Sequence, residues 1–388
     1  MPVFPLLIIS YCFAWSPEDV REGLTHRYYG LYSNMARHIL KRGGPVYWYS
    51  VTERRLLRIF HGKCSSSKCS LFVAVAKTLG EVLTFGKPVI VMLDYPHSFL
   101  GIKHFITYVS SLLLLHAFRL VGAVFVTVDN MDPPIEHSIE LKGRISFSEK
   151  LLWLLLNKLV FHFDLMVFHS QSYRVYHKLY YKLSYEKTTV YPPGSFPEII
   201  PYVEPPLKPP VKVFLSGRIH EWIGLKQLIT LMDRLKGEDI RVKFIVLDKS
   251  MPTNLQREDI EIVNTYINYF DFTRLLADAN VLLLLIRPRS LHHVLTVRAT
   301  LADYMMTGRP VLYLYSLGSK EIVSDVEGCY SFRSIEEIPN ILRKLIRDSS
   351  SLNKLCINIR MYAENRLDYK KLALDLLREI INHIHSTN

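Results

Sequence analysis

Cysteine is scarce in this chain. Its five cysteines, Cys12, Cys64, Cys69, Cys329 and Cys356, are odd in number and scattered over 388 residues, which excludes a disulfide framework and fits a reducing compartment such as the cytoplasm. Cys64 and Cys69 enclose SSSK with no second ligand pair nearby, so they read as free thiols rather than zinc ligands. Acidic residues are also in short supply. Against 48 Lys and Arg stand 36 Asp and Glu, a formal charge of +12. An excess of that size calls for an anionic partner, and nucleic acid, an acidic membrane surface and phosphorylated small molecules are the three classes. The N-terminal MPVFPLLIISYCFAW lacks the basic region of a signal peptide and reads as a buried first strand. The longest apolar run, Phe105 to Val128, has the length of a membrane span but carries His116, Arg119 and Gly122. It reads as a helix followed by a parallel strand, with a membrane span as the alternative.

Apolar residues are plentiful. They make up 49% of the chain and charged residues 22%, enough to build sizeable cores, and the length suits two domains. Strand candidates at 6–11, 46–50, 88–94, 123–128, 164–170 and 188–192 alternate with helical stretches such as YYGLYSNMARHILKRGG. Eight prolines then fall between Pro192 and Pro210. Proline at that density continues neither a helix nor a central strand, so the stretch reads as a stiff linker. Alternation restarts with strand candidates at 211–217, 242–248, 279–286 and 309–315. The expected fold is α/β, with two doubly wound Rossmann-like domains facing a cleft. Residues 1–191 form the first domain, 192–210 the linker and 211–365 the second, leaving 366–388 as a C-terminal helix that can pack back on the first.

Two stretches of the second domain suggest a ligand. In LSGRIHEWIGLKQL (215–228), Ser216 and Gly217 allow close backbone approach at a strand end, while Arg218 and Lys226 offer charge-assisted contacts to an anion. In TVRATLADYMMTGRPVLYLY (296–315), a helix is expected to start at a Thr296 cap and stop at Gly308. Arg287, Arg289, His292 and His293 precede it, so its N-terminus suits an anion. Asp303, two turns on, can accept from a sugar or ribose hydroxyl. A solvated turn and a surface helix are the plainer alternatives.

Taken in order, FLSGRIHEWIGLKQL and LADYMMTGRPVLYLYSLGSKEIV resemble the GT-B glycosyltransferases, and the retaining family 4 type in particular. The resemblance implies that Arg218 meets the donor diphosphate, as does the backbone around Leu295, Thr296 and Val297, and that Asp303 meets the ribose. VFVTVDNMDPP (124–134) resembles the family segment whose histidine faces the transferred sugar; Asp129 stands there instead. Ile223 replaces the usual lysine of the second motif, leaving its work to Lys226, and no acid stands near Leu295 where the family has a glutamate. Asp129 and Asp132 do not have Asp-x-Asp spacing. No obligatory metal and no further cofactor are therefore expected.

The implied activity is retaining, metal-independent transfer from a nucleotide sugar, such as a UDP- or GDP-sugar, to a glycan or lipid-linked acceptor. A homologue that binds the donor without turnover is the alternative, and nucleic-acid binding a lesser one. Arg27 and Asp94, with His26 and His97, are expected as solvated loop residues on the acceptor side. The +12 charge, the helix at 105–120 and the Tyr-Lys-Arg run at 173–187 suit a cytoplasmic protein resting on an anionic membrane surface.

Overall fold

A computed structural model describes residues 3–16, 19, 27–95, 102–130, 144–205, 210–216, 225–236, 242–247, 258–263, 265, 267–285, 291–323, 325–347 and 349–387. The chain divides into two compact units. The first comprises Met1–Pro192, Ser290–His292 and Lys370–Asn388, and the second Pro193–Arg289 and His293–Tyr369.

The first unit is built on an eight-stranded sheet. Its strands are β1 (Leu6–Ser10), β2 (Val46–Ser50), β3 (Arg55–Phe60), β4 (Lys63–Lys68), β5 (Val89–Asp94), β6 (Val124–Asn130), β7 (Leu165–Phe168) and β8 (Thr188–Val190), in the order β4-β3-β2-β1-β5-β6-β7-β8. Parallel strands are covered on both faces, and LLIIS, VYWYS and VIVMLD are accordingly buried at every position. The order turns about β1, which pairs with β2 on one side and β5 on the other. β3 and β4 form an antiparallel hairpin that the sequence reading passed over. His61 and Gly62 form its two-residue turn, both at positive φ (48° and 74°), as the twist of a tight hairpin requires. The lysines at either end of KCSSSK blunt this exposed edge.

Helices α1 (Ser33–Lys41), α2 (Leu71–Val82), α3 (Ile102–Leu120), α4 (Phe147–Val160) and α5 (Gln171–Tyr181) connect these strands. Ser70, Ser146 and Ser170 cap α2, α4 and α5 by accepting from the backbone N–H of Val73, Glu149 and Tyr173. The crossovers from β4 to β8 step the same way across the sheet, so right-handed connections place α2 to α5 in one layer. Within it the His116 ring stacks on Phe163 at 4.1 Å and its Nε2 lies 2.8 Å from the Leu159 carbonyl oxygen. Among the described residues no helix is long and apolar enough to cross a membrane.

The second unit has six parallel strands, β9 (Val211–Ser216), β10 (Val242–Leu247), β11 (Ile260–Val263), β12 (Val281–Leu284), β13 (Val311–Leu314) and β14 (Cys329–Phe332), in the order β11-β10-β9-β12-β13-β14. The order turns at β9, which lies between β10 and β12. Its helices are α6 (Leu225–Lys236), α7 (Tyr269–Ala277), α8 (Leu291–Leu295, whose first two residues count with the first unit), α9 (Ala299–Met306), α10 (Leu317–Val323), α11 (Ile338–Arg347) and α12 (Ser349–Arg366). The last helix, α13 (Tyr369–Thr387), lies almost wholly in the first unit. There Glu379 accepts hydrogen bonds from Thr189 (3.1 Å) and Tyr191 (2.9 Å).

From Pro193 the proline-rich stretch counts with the second unit and is fastened to it. Proline has no N–H to donate, so such a stretch presents mainly carbonyl acceptors, and buried guanidinium groups supply the donors. Arg360 donates to Ile200 (2.5 Å), Pro197 (3.3 Å) and the Met306 carbonyl. Arg309, fully buried, donates to Val203 (2.7 Å), Glu204 (3.4 Å), Ala277 (2.7 Å) and Ala279 (2.8 Å). Ser195 adds two backbone bonds, to Leu367 and from Tyr369.

His177 on α5 is buried against Phe168 and Tyr173, and burial pushes its imidazole down to about 3. A histidine lowered in the folded state binds its proton more readily when unfolded. Its contribution to stability is therefore complete above the unfolded value of about 6.5 and is lost as pH falls toward the folded one. Urea unfolding of wild type and His177→Phe between pH 7.5 and 4.5 should show the wild type losing more stability on acidification; parallel pH profiles would contradict this.

Candidate functional site

In open parallel sheets ligands settle beyond the carboxyl ends of the strands where strand order turns. In the second unit that place is the end of β9, at Ser216. The Ser216 hydroxyl lies 2.9 Å from the Tyr304 hydroxyl on α9, so the two stretches singled out in the sequence meet here although 88 positions separate them. Gly217 and Arg218 lie outside the described residues, as do Arg287 and Arg289. Lys226 falls on α6, but its side chain is outside the described set.

The helix bearing Asp303 starts later than expected. Its N-cap is Arg298, with no side-chain cap bond, and Thr296 and Val297 are buried in the turn before it. The reason is packing from α10. A Cβ on Gly318 would stand 2.4 Å from the Thr296 carbonyl oxygen and 2.6 Å from that of Leu295. Only glycine lets the two backbones come this close, which holds the 295–298 turn in place ahead of α9.

Asp303 is buried, and its Oδ1 accepts hydrogen bonds from Ser195 (2.6 Å) and Tyr269 (2.7 Å). Burial and the neighbouring Asp303 charge raise the Tyr269 phenol well above its usual range, so it remains a donor. Neither partner was foreseen: Ser195 sits among prolines and Tyr269 opens a helix from an Asn268 cap, and nothing local to either marks a carboxylate partner.

In the first unit the turning point is the end of β1, flanked by β2 and β5, with β6 next beyond β5. Asp94 and Asp129 are direct register partners on β5 and β6. Two acids side by side repel, and Arg27 meets one of them. Its Nε lies 2.6 Å from Asp129 Oδ2 and its Nη2 2.8 Å from Oδ1, a two-pronged pair, while the Tyr32 hydroxyl donates to Oδ2 at 2.9 Å. All three residues are buried. Burial pushes the Asp129 carboxyl up, but the Arg27 charge and hydrogen bonds, His169 nearby and the Tyr32 bond together hold it below the ordinary range.

This corrects two expectations. Arg27 and Asp94 are buried at 2% and 4% exposure rather than solvated loop residues. Asp129, expected to face a transferred sugar, has both oxygens engaged by Arg27 and Tyr32 and no exposed surface. His26, His97 and Asp132 lie outside the described residues.

No protein-family profile and no curated protein sequence matches the chain. Solved structures do. A sucrose-phosphate synthase from Thermosynechococcus elongatus is similar with a TM-score of 0.66 at 13% identity, over 99% of this chain and 100% of that one. A glycosyltransferase from Rickettsia africae ESF-5 gives 0.65 at 13% identity, over 98% of each chain. Anabaena HepE in complex with UDP-glucose gives 0.58 at 13% identity, over 98% of this chain and 99% of that one. At these identities the likeness shows the fold, two Rossmann-like units as in the GT-B glycosyltransferases.

Breaking a buried ion pair by removing one partner strands the other charge and costs about 3–5 kcal/mol, more than replacing both with apolar groups. Asp129→Asn should therefore lose that much at pH 7, and Arg27→Met with Asp129→Leu should lose less than either single change. Because the Asp129 carboxyl is lowered on folding, the pair stabilises above the unfolded value of about 3.9 and fades as pH drops through the folded one. Denaturant midpoints for the variants down to about pH 3 check both; a double variant weaker than the sum of the singles would contradict the pairing.

Proposed function

We propose that the chain is a glycosyltransferase that takes a sugar from a nucleoside diphosphate donor and passes it to a glycan or lipid-linked acceptor. The observation that carries this reading is the Ser216–Tyr304 contact, which joins the two family-like stretches at the turning point of the second sheet. The GT-B fold supports it, and HepE, of like fold, was solved with UDP-glucose. The donor is a UDP- or GDP-sugar, and the reaction is retaining.

Breaking the sugar–phosphate bond leaves a diphosphate whose growing negative charge must be met by groups already in place. Arg218 and Lys226 supply cations. The 295–298 turn and the first turn of α9 supply backbone N–H groups and the positive end of the helix dipole. These suffice without a metal, and the one acid of the Asp129/Asp132 pair that is described is held by Arg27. Asp303 takes the ribose, with Ser195 and Tyr269 fixing its carboxylate. Asp129 is a positioning residue for the end of β6 rather than a group that touches the sugar.

Thermal-shift screening of nucleoside diphosphates and their sugars identifies the donor, since a ligand of the native state raises its melting temperature. A nucleotide sugar that binds and is never turned over, with any acceptor, would indicate a donor-binding homologue. With the donor known, Arg218→Ala should weaken it by about 1.5–3 kcal/mol, the range for a hydrogen bond to a charged group; equal affinities by isothermal titration would remove Arg218 from the site.

Asp303→Ala should weaken the intact nucleotide more than its 2′,3′-dideoxy analogue, because only the former has hydroxyls for the carboxylate to accept from. Equal losses would make Asp303 an internal anchor for Ser195 and Tyr269 alone.

A further inference from the structure

The outer surface of the first unit's helical layer is strongly apolar. On α3, Ile106, Leu113 and Leu120 recur every seventh residue and all are exposed, Leu120 at 81%. On α4, which packs beside it, Phe147, Leu151 and Leu155 form a parallel stripe, with Phe147 at 83%. Helices of a soluble layer carry polar residues on that side. A contiguous apolar surface rimmed by charge marks an interaction site.

The charge around it is mainly positive, although Arg119 on α3 is paired with Asp164 at 2.5 Å. The segments 71–82, 102–121, 144–160 and 171–182 together hold nine Lys or Arg and two Glu. Lys150 and Lys158 are exposed on α4 itself, and the exposed Leu179 and Tyr180 extend the surface at the end of α5. Against a second copy of this chain such a surface would set cations against cations. Nucleic acid would satisfy the cations but leave the leucines and Phe147 without apolar partners, since its interfaces are polar. An anionic bilayer answers both, because apolar side chains enter the boundary between headgroups and acyl chains while lysine and arginine reach back to the headgroups.

We infer that the outer face of α3 and α4, with the end of α5, seats this protein on an anionic lipid surface, lying on the bilayer without crossing it. The inference stands apart from the donor reading, because nucleotide binding is measured in the second unit and vesicle binding through the first.

The test is co-sedimentation of the full chain with vesicles of phosphatidylcholine alone and of phosphatidylcholine with phosphatidylglycerol, at low and high salt. Wild type should partition into the anionic vesicles at least about tenfold better than into the neutral ones at low salt, and less so at high salt. Phe147→Ser with Leu151→Gln and Leu155→Gln replaces side chains that face outward, so melting temperature and nucleotide affinity should hold while vesicle binding falls about tenfold or more. Lys150→Glu with Lys158→Glu should weaken binding only to anionic vesicles. Wild type left in the supernatant with anionic vesicles at low salt overturns the inference. So does an apolar variant that binds vesicles like wild type, or a wild-type dimer in sedimentation equilibrium that the apolar variant turns into a monomer, which would give this face to a second copy.

Discussion

A guanidinium taken out of water must find acceptors for its N–H groups, and much of this molecule is arranged around that demand. Arg309 meets it with backbone carbonyls and Arg360 with carbonyls and the Glu364 carboxylate, many of the carbonyls coming from a proline-rich stretch short of donors of its own. Arg27 meets it with a carboxylate that has another carboxylate as its register neighbour. In each case one side chain fixes segments far apart in sequence. Between Arg360 and Arg309, residues 197 to 204 are tied at four carbonyls, which turns an apparent spacer into part of a wall.

That wall reaches the candidate donor site. Ser195, held by backbone bonds to Leu367 and Tyr369, points its hydroxyl at Asp303, and Tyr269 does so from α7. The orientation of one carboxylate on α9 therefore depends on the fastening of the proline-rich stretch. A catalytic or binding group held this way needs no rearrangement when a ligand arrives, which is where preorganised sites gain their effect. Gly318 does a similar service for the turn before α9 by letting α10 press on it.

Much of the fold could be read from the chain because buried parallel strands appear as uninterrupted apolar runs. LLIIS, VIVMLD and VLLL announce themselves by composition alone. The β3–β4 hairpin did not, since RLLRIF and KCSSSK lie at an edge and neither alternates nor excludes charge. Candidate site residues could be proposed from the sequence where a backbone feature marked them, as at Ser216 and Asp303. They were invisible where the partner came from elsewhere: nothing within ten residues of Arg27 hints that it lies bonded to Asp129, and nothing around Ser195 hints at Asp303. Thr296 misled for a related reason. A threonine before a helical pattern is a good cap by local rules, but contact with Gly318 claims its backbone and moves the start to Ala299.

Glu379 on α13 clasps Thr189 and Tyr191, and so residues 370–387 belong to the unit that opens the chain. This has a bearing on how the protein is made. The ribosome finishes every strand of the first sheet, then synthesises the whole second unit before the helix that completes the first one. At ~5–20 residues per second that interval is on the order of tens of seconds. Throughout it, Thr189 on β8 and Tyr191 just after it wait with their acceptor, Glu379, still untranslated, while the second unit is almost continuous in sequence. The contacts that close the first unit can therefore form only after the second unit has been synthesised, whereas the second unit waits on none of them.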